Sequence, residues 1–180
     1  MRKNDLNKYL NKLSIFVPYF NKEKSIQALV NYWSEYPIEL IILDGSDQKI
    51  NLILNEKHNP NFKLRYYYDR ISYFERVKKA TYIKSREYSL ISPDDEIFLP
   101  RGIAKSIKFL EENLEFNSSI GQCYRVFKKR NKLKIVQIYK KLKVVNSTQK
   151  YKNMEERIVN YFNNYVCATF YSVMRSSAWK

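Results

Sequence analysis

Glycine is almost missing: Gly45, Gly102 and Gly121 are the only three in 180 residues. No Walker A loop and no G-x-G-x-x-G turn can be built from them, so no glycine-rich loop wraps a phosphate. Histidine is scarcer still. With His58 alone, zinc catalysis and Ser-His-Asp or Cys-His triads are disfavoured. Cys123 and Cys167 are the two cysteines. They make neither a disulfide framework nor a zinc spacing, and they fit a reduced setting. No apolar run approaches the roughly 20 residues that span a bilayer. Met1-Arg-Lys-Asn-Asp5 lacks the apolar core of a signal peptide. A cytoplasmic protein is expected, or one peripheral to the inner face of the membrane.

What the chain does have is positive charge. Its net charge is +15, and 44% of its residues are hydrophobic. The hydrophobic share is that of a globular domain, and one domain fits the length. The charge favours an anionic partner, such as nucleic acid, a nucleotide diphosphate or an acidic membrane surface. Lysine, asparagine, isoleucine and tyrosine are abundant throughout, so much of the charge reads as solvated surface. Denser basic stretches lie at 128–134 and 140–143.

Periodicity organises the rest. Leu13-Ser-Ile-Phe-Val-Pro18 reads as a buried strand ended by proline. Ile26, Leu29, Val30 and Trp33 form the stripe of an amphipathic helix starting at Lys22. Ile38-Glu-Leu-Ile-Ile-Leu43 reads as a central parallel strand, closed by the turn Asp44-Gly45-Ser46. A short helix is expected over Lys49–Glu56. Phe62–Tyr68 alternates like a less buried strand, and Tyr73, Val77, Ala80 and Thr81 place a helix over 72–84. Tyr88–Ile91 is a fourth strand, followed by Ser92-Pro93-Asp94-Asp95-Glu96. Ile103, Ile107, Leu110 and Leu114 mark another helix. The order predicts an α/β fold with a mostly parallel sheet flanked by helices over residues 13–114. Beyond 115 the pattern is mixed: strands over Ser119–Lys128 and Leu133–Ile138, a helix through Met154, Ile158, Tyr161 and Tyr165, and a strand over Val166–Met174.

Ligands of open α/β sheets bind beyond the carboxyl ends of the strands. Three such ends carry polar groups: Tyr19, Phe20, Asn21 and Lys22; Asp44, Gly45 and Ser46; and Asp94, Asp95 and Glu96. Three adjacent carboxylates repel one another unless a cation compensates. Mg²⁺ or Mn²⁺ suits, since hard cations take oxygen ligands and use one or two carboxylates plus phosphate oxygens. Arg76 and Lys79, on the helix before the fourth strand, are available to phosphates. Each element also has an ordinary role. An Asp-Asp-Glu run can cap a helix or lie in an exposed loop. Asp44-Gly45 is a common turn, and Lys22 can be a solvated lysine. The tyrosines of Tyr66-Tyr67-Tyr68 can stack on bases but more often build strands.

Taken together, these segments resemble the inverting-type family 2 glycosyltransferases of the GT-A fold, especially a bacterial surface-polysaccharide subgroup. Leu13-Ser-Ile-Phe-Val-Pro-Tyr-Phe-Asn-Lys22 is similar to the family's opening strand. Leu40-Ile-Ile-Leu-Asp-Gly-Ser46 is similar to its second strand, and Ser92-Pro-Asp-Asp-Glu-Ile-Phe-Leu-Pro100 to its metal motif. Glu155-Glu-Arg157 and Thr169-Phe-Tyr-Ser-Val-Met-Arg175 resemble a segment near the acceptor pocket. The resemblance implies one GT-A domain over 1–180, with a nucleotide-sugar part at 13–114 and an incomplete acceptor-side part at 115–180. It also implies transfer of a sugar from a nucleotide-diphosphate donor to a glycan or lipid-linked acceptor, with Mg²⁺ or Mn²⁺. Asp44 would contact the base, and Asp94 and Asp95 would lie near ribose and metal. Asp94 and Glu96 would be the metal ligands. Pro18, Tyr19, Asn21, Lys22, Ser46, Arg76 and Lys79 complete the expected donor set. No catalytic base is identified, and Glu155 and Glu156 are the candidates. Two departures stand out. Glu96 replaces the usual aspartate, and the family usually continues well past Trp179-Lys180 with the part that supplies the base. A basic nucleic-acid-binding module and an inactive nucleotide-binding remnant are the alternatives, although no specific nucleic acid is expected.

Overall fold

Two apolar segments form the centre of the structure: β1 (Leu13–Tyr19) and β2 (Glu39–Asp44), with β2 buried throughout. The computed structural model describes residues 2–129, 132–138, 153–163 and 171–179. The other elements are α1 (Lys3–Leu10), α2 (Glu23–Trp33), β3 (Lys63–Tyr68), α3 (Tyr73–Tyr82), β4 (Tyr88–Ile91), α4 (Pro100–Glu112), β5 (Ser118–Ser119), β6 (Cys123–Lys129), β7 (Lys132–Ile138), α5 (Met154–Asn163) and β8 (Val173–Arg175). A 3₁₀ turn over Ser176–Trp179 follows. The chain divides into two units, Met1–Ile120 with Phe170–Lys180, and Gly121–Thr169.

The first unit holds a six-stranded sheet in the order β3-β2-β1-β4-β8-β5. β1 to β4 are mutually parallel, and β8 runs antiparallel between β4 and β5. The expected α/β architecture, a mostly parallel sheet flanked by helices, is therefore present. Side chains alternate between its faces. Ile15, Val17, Leu40 and Ile42 pack in one layer with Ile26, Val30 and Trp33 of α2 and Ile103, Ile107 and Leu110 of α4. Phe16, Ile41 and Leu43 pack on the other face with Ala80 of α3 and Trp179. The Phe16 and Trp179 rings lie 5.0 Å apart.

The order of the strands places the site. From β1 the chain steps outward to β2 and β3, then returns to lay β4 on the other side of β1. The connections diverge there, at the carboxyl ends of β1 and β4, the position where open α/β sheets bind ligands. Pro18 lies inside β1, opposite Leu43, not after its end. Phe16 accepts a bond from the Ser92 amide on the β4 side, and Tyr19 accepts one from the Gly45 amide on the β2 side. Alternation therefore turns the nitrogen of Pro18 towards β4, whose pairing with β1 stops at Phe16. The missing N–H falls where no strand needs it.

Four local expectations change. α1 has no counterpart in the sequence reading, although Leu6, Tyr9 and Leu10 carry helical spacing, and these residues join the core. Lys49–Glu56 is irregular. The Ile53 amide donates to Gln27 Oε1 at 3.0 Å, and Gln27 Nε2 donates back to the Ile53 carbonyl at 2.7 Å. Side chains thus satisfy backbone groups that a helix would have used. The expected strand over Ser119–Lys128 breaks near Gly121 into β5 of the main sheet and β6, which pairs with β7. The last strand is described only as β8, and Tyr165 to Phe170 lie outside the described residues, as do Arg130 and Asn131 of the β6–β7 turn.

Ile42 is fully buried in the central sheet. Ile42→Ala is expected to reduce unfolding free energy by roughly 2–5 kcal/mol in urea titration, the range for losing a buried branched side chain. A loss well under about 1 kcal/mol would contradict this packing.

Candidate functional site

The loops leaving β1, β2 and β4 are tied to one another by side chains. The first tie joins the β1 and β2 ends. Asn21 has a φ of 51°, the left-handed region that asparagine tolerates better than most residues. In that conformation its amide donates to Ser46 Oγ at 2.8 Å, and its Nδ2 donates to Asp47 Oδ2 at 2.7 Å. The Asp47 amide returns a bond to Asn21 Oδ1 at 3.2 Å. Asp44 lies beneath, with no exposed surface. Its Oδ1 accepts the Ser46 amide at 2.8 Å, and its Oδ2 accepts the Tyr66 hydroxyl. Burial, and then the bond to Asp44, hold the Tyr66 pKa well above the ordinary phenol value.

The second tie joins the β1 and β4 ends. The Lys22 ammonium lies 2.8 Å from Asp95 Oδ2 and 3.6 Å from Asp94 Oδ1. Ser25 Oγ, in the first turn of α2, donates to Asp94 Oδ2 at 2.9 Å. The hydrogen bond from Lys22 pulls the Asp95 carboxyl below its usual range, and the same bond raises the Lys22 pKa. Asp94 and Asp95 therefore share one cation. Glu96 points elsewhere, accepting the Tyr171 hydroxyl at 3.2 Å. Among the described residues no three His, Cys, Asp or Glu side chains converge on one point.

The triplet does not cap α4. That helix starts at Pro100 with Leu99 at its N-cap and no side-chain cap. Five residues of loop separate it from Asp94, so the carboxylates owe their position to Lys22 and Ser25.

Two further polar groups are buried at this edge. Arg76, 6% exposed, donates from Nη1 to the Ile71 carbonyl at 2.9 Å, while its Nε has no partner. No carboxylate among the described residues forms an ion pair with it. Its guanidinium lies on Gly45, where an added Cβ would come within 1.3 Å of Nη1. Any side chain at position 45 would displace the Arg76 guanidinium. α3 presents this arginine, and its start is fixed by a capping box between Ser72 and Glu75. The Tyr19 hydroxyl is also buried without an aligned partner. Burial raises its pKa, and the nearby Lys22 backbone and Ser46 hydroxyl offset part of that rise.

Pro18, Tyr19, Asn21, Lys22, Asp44, Ser46, Asp94 and Asp95 thus gather on one edge of the sheet, and Arg76 packs against Gly45 beside them. Lys79 is engaged by Asp69, which follows β3, at 2.9 Å. Glu155 and Glu156 lie exposed in the first turn of α5, in the second unit. Ser25, Asp47, Tyr66 and Tyr171 also belong to the network; the sequence points to Tyr66 only as a residue that stacks on bases or builds a strand, and to Tyr171 only within the segment similar to one near the acceptor pocket. Ser25, one helical turn from Lys22, carried a local signal.

No protein-family model matches the chain, and no curated protein matches it. Among solved structures it is similar to the mannosyltransferase PcManGT from Pyrobaculum calidifontis, in complex with GDP-Man and Mn²⁺. The identity is 17% and the TM-score 0.46, over 62% of this chain and 36% of that one. The chain therefore spans about a third of that protein's length.

Lys22→Met removes the cation that Asp94 and Asp95 share. The pairing stabilises the fold above the ordinary carboxylate range and is lost as pH falls through the depressed Asp95 pKa. NMR titration of the Asp95 carboxyl is expected to give a value below the ordinary range in the unmutated chain, and a return upward in Lys22→Met. Identical titrations would refute the pairing.

Proposed function

We propose that the chain binds a nucleotide-diphosphate sugar at the carboxyl ends of β1, β2 and β4, and acts in transfer of the sugar to a glycan or lipid-linked acceptor. One observation carries this reading. The strand ends that resemble family 2 glycosyltransferase motifs meet at the point where the strand order reverses, and their side chains bond to one another there. The bacterial surface-polysaccharide subgroup remains the reading of the sequence resemblance.

In this proposal Tyr19, Asn21 and Ser46 shape the base and ribose side. Both Asp44 oxygens are already engaged, so Asp44 would meet a base by exchanging the Tyr66 hydroxyl for a ring N–H. Arg76, buried without a carboxylate, supplies fixed positive charge beside it. Lys22 lies where the diphosphate would come, with the acidic pair behind it. Lys79 is the outermost of the proposed donor contacts.

The residues suit a divalent cation. Asp94 and Asp95 already point at one positive group, and they offer the hard oxygen ligands that Mg²⁺ or Mn²⁺ takes. They would hold it with Lys22 turned aside to the phosphates, and Glu96 would join by leaving Tyr171. A bound cation there would neutralise charge on the leaving diphosphate. The acceptor hydroxyl must lose its proton to a carboxylate as it attacks the anomeric carbon. Glu155 and Glu156 are the proposed bases.

Isothermal calorimetry with a panel of nucleoside diphosphates, with and without Mn²⁺, tests the reading. Binding of at least one is expected with Mn²⁺, weakened about tenfold or more by Asp94→Ala, a loss equal to at least about 1.4 kcal/mol. Folded protein that binds none of them would overturn the proposal.

A further inference from the structure

The second unit concentrates the charge of the molecule. Between Glu115 and Glu155 the sequence has no carboxylate, yet it holds eleven of the chain's 33 lysines and arginines. Six of the eleven fall in the hairpin of β6 and β7, from Cys123 to Ile138.

The pairing register sorts this hairpin into two faces. Directly opposed residues of an antiparallel pair share a face, and faces alternate along each strand. Val126 opposes Ile135, Tyr124 opposes Gln137, and Leu133 opposes Lys128. Tyr124, Val126, Leu133 and Ile135 therefore cluster on one face, which Gln137 and Lys128 share. The four are 51%, 59%, 75% and 68% exposed. Arg125, Lys132 and Lys134 occupy the alternate positions, with Phe127 and Val136 among them. Among the described residues no further strand pairs with this hairpin; a two-stranded ribbon is marginally stable in water, and four exposed apolar side chains add a further cost.

We infer that this hairpin is a surface for an anionic lipid bilayer. The reading is independent of the donor site. An element that lies in a membrane interface buries one apolar face at the headgroup boundary and keeps Lys and Arg on the other. The hairpin approaches that division, with one lysine, Lys128, at the edge of the apolar cluster and the other cations on the opposite face with Phe127 and Val136, and it has no acidic residue to repel an anionic leaflet. Charge complementarity alone would also suit nucleic acid. A polynucleotide, however, would engage the cations and leave Val126, Leu133 and Ile135 in water. An anionic bilayer takes up both the exposed apolar side chains and the cations.

Vesicle co-sedimentation of the full chain tests this. The probes are phosphatidylcholine vesicles with and without about 30% phosphatidylglycerol, in salt of about 0.1 M, where charges still act over about 10 Å. Binding is expected only to the anionic vesicles. Val126→Ser/Leu133→Ser/Ile135→Ser, all at exposed positions, should reduce partitioning at least tenfold. Lys132→Glu/Lys134→Glu should reduce it comparably, and carries the test if the serine variant fails to fold. Three results would overturn the inference: no binding to anionic vesicles, vesicle binding unaffected by the serine substitutions, or an oligonucleotide bound more tightly than the vesicles. A hairpin-mediated dimer that ignores vesicles would do so as well.

Discussion

The position of β1 between β2 and β4 is the constraint on which the donor-side architecture rests. Its residues are apolar on both faces, so it can be satisfied only with a strand on each side and a helical layer above and below. The parallel partners require crossovers, and crossovers to opposite sides must part company at β1. That parting marks the position of the candidate site. Pro18, which would disrupt a strand paired along its whole length on both sides, sits where β4 has already stopped.

The polar edge of the sheet follows a second rule: buried or crowded charge is tolerated only with partners. Asp44 has both oxygens bonded by Ser46 and Tyr66. Asp94 and Asp95 have Lys22 and Ser25. Among the described residues Arg76 is the exception, a buried guanidinium that bonds the Ile71 carbonyl and forms no ion pair with a carboxylate.

Much of the fold was legible because periodicity is local. Leu13–Pro18, Ile38–Leu43 and the Ile26, Leu29, Val30, Trp33 stripe each declare their structure within one window. Lys49–Glu56 is not helical because Ile53 bonds to Gln27 and the Ile50 amide to the Tyr66 hydroxyl, partners that lie outside any local window. β6 and β5 looked like one strand because the change of sheet near Gly121 leaves no mark on hydrophobicity. α1 was passed over because its apolar positions are few and its N-terminal residues are mostly charged. The strand-end residues of the candidate site were legible as types. Their partners were not: Lys22 and Asp95 are 73 positions apart, and Glu96 and Tyr171 are 75.

The sequence by itself determined the alternation of strands and helices, the absence of a glycine-rich phosphate loop, and which polar residues end each strand. These depend on neighbours within a few residues, and burial periodicity reports them directly. The tertiary structure alone decided which carboxylate each cation meets, that the acidic triplet divides between Lys22 and Tyr171 without converging on one point, and that Arg76 lies on Gly45. It also decided that Tyr124, Val126, Leu133 and Ile135 of the β6–β7 hairpin share one exposed face. Such outcomes depend on strand order and pairing register, which arise from long-range burial and have no local signature.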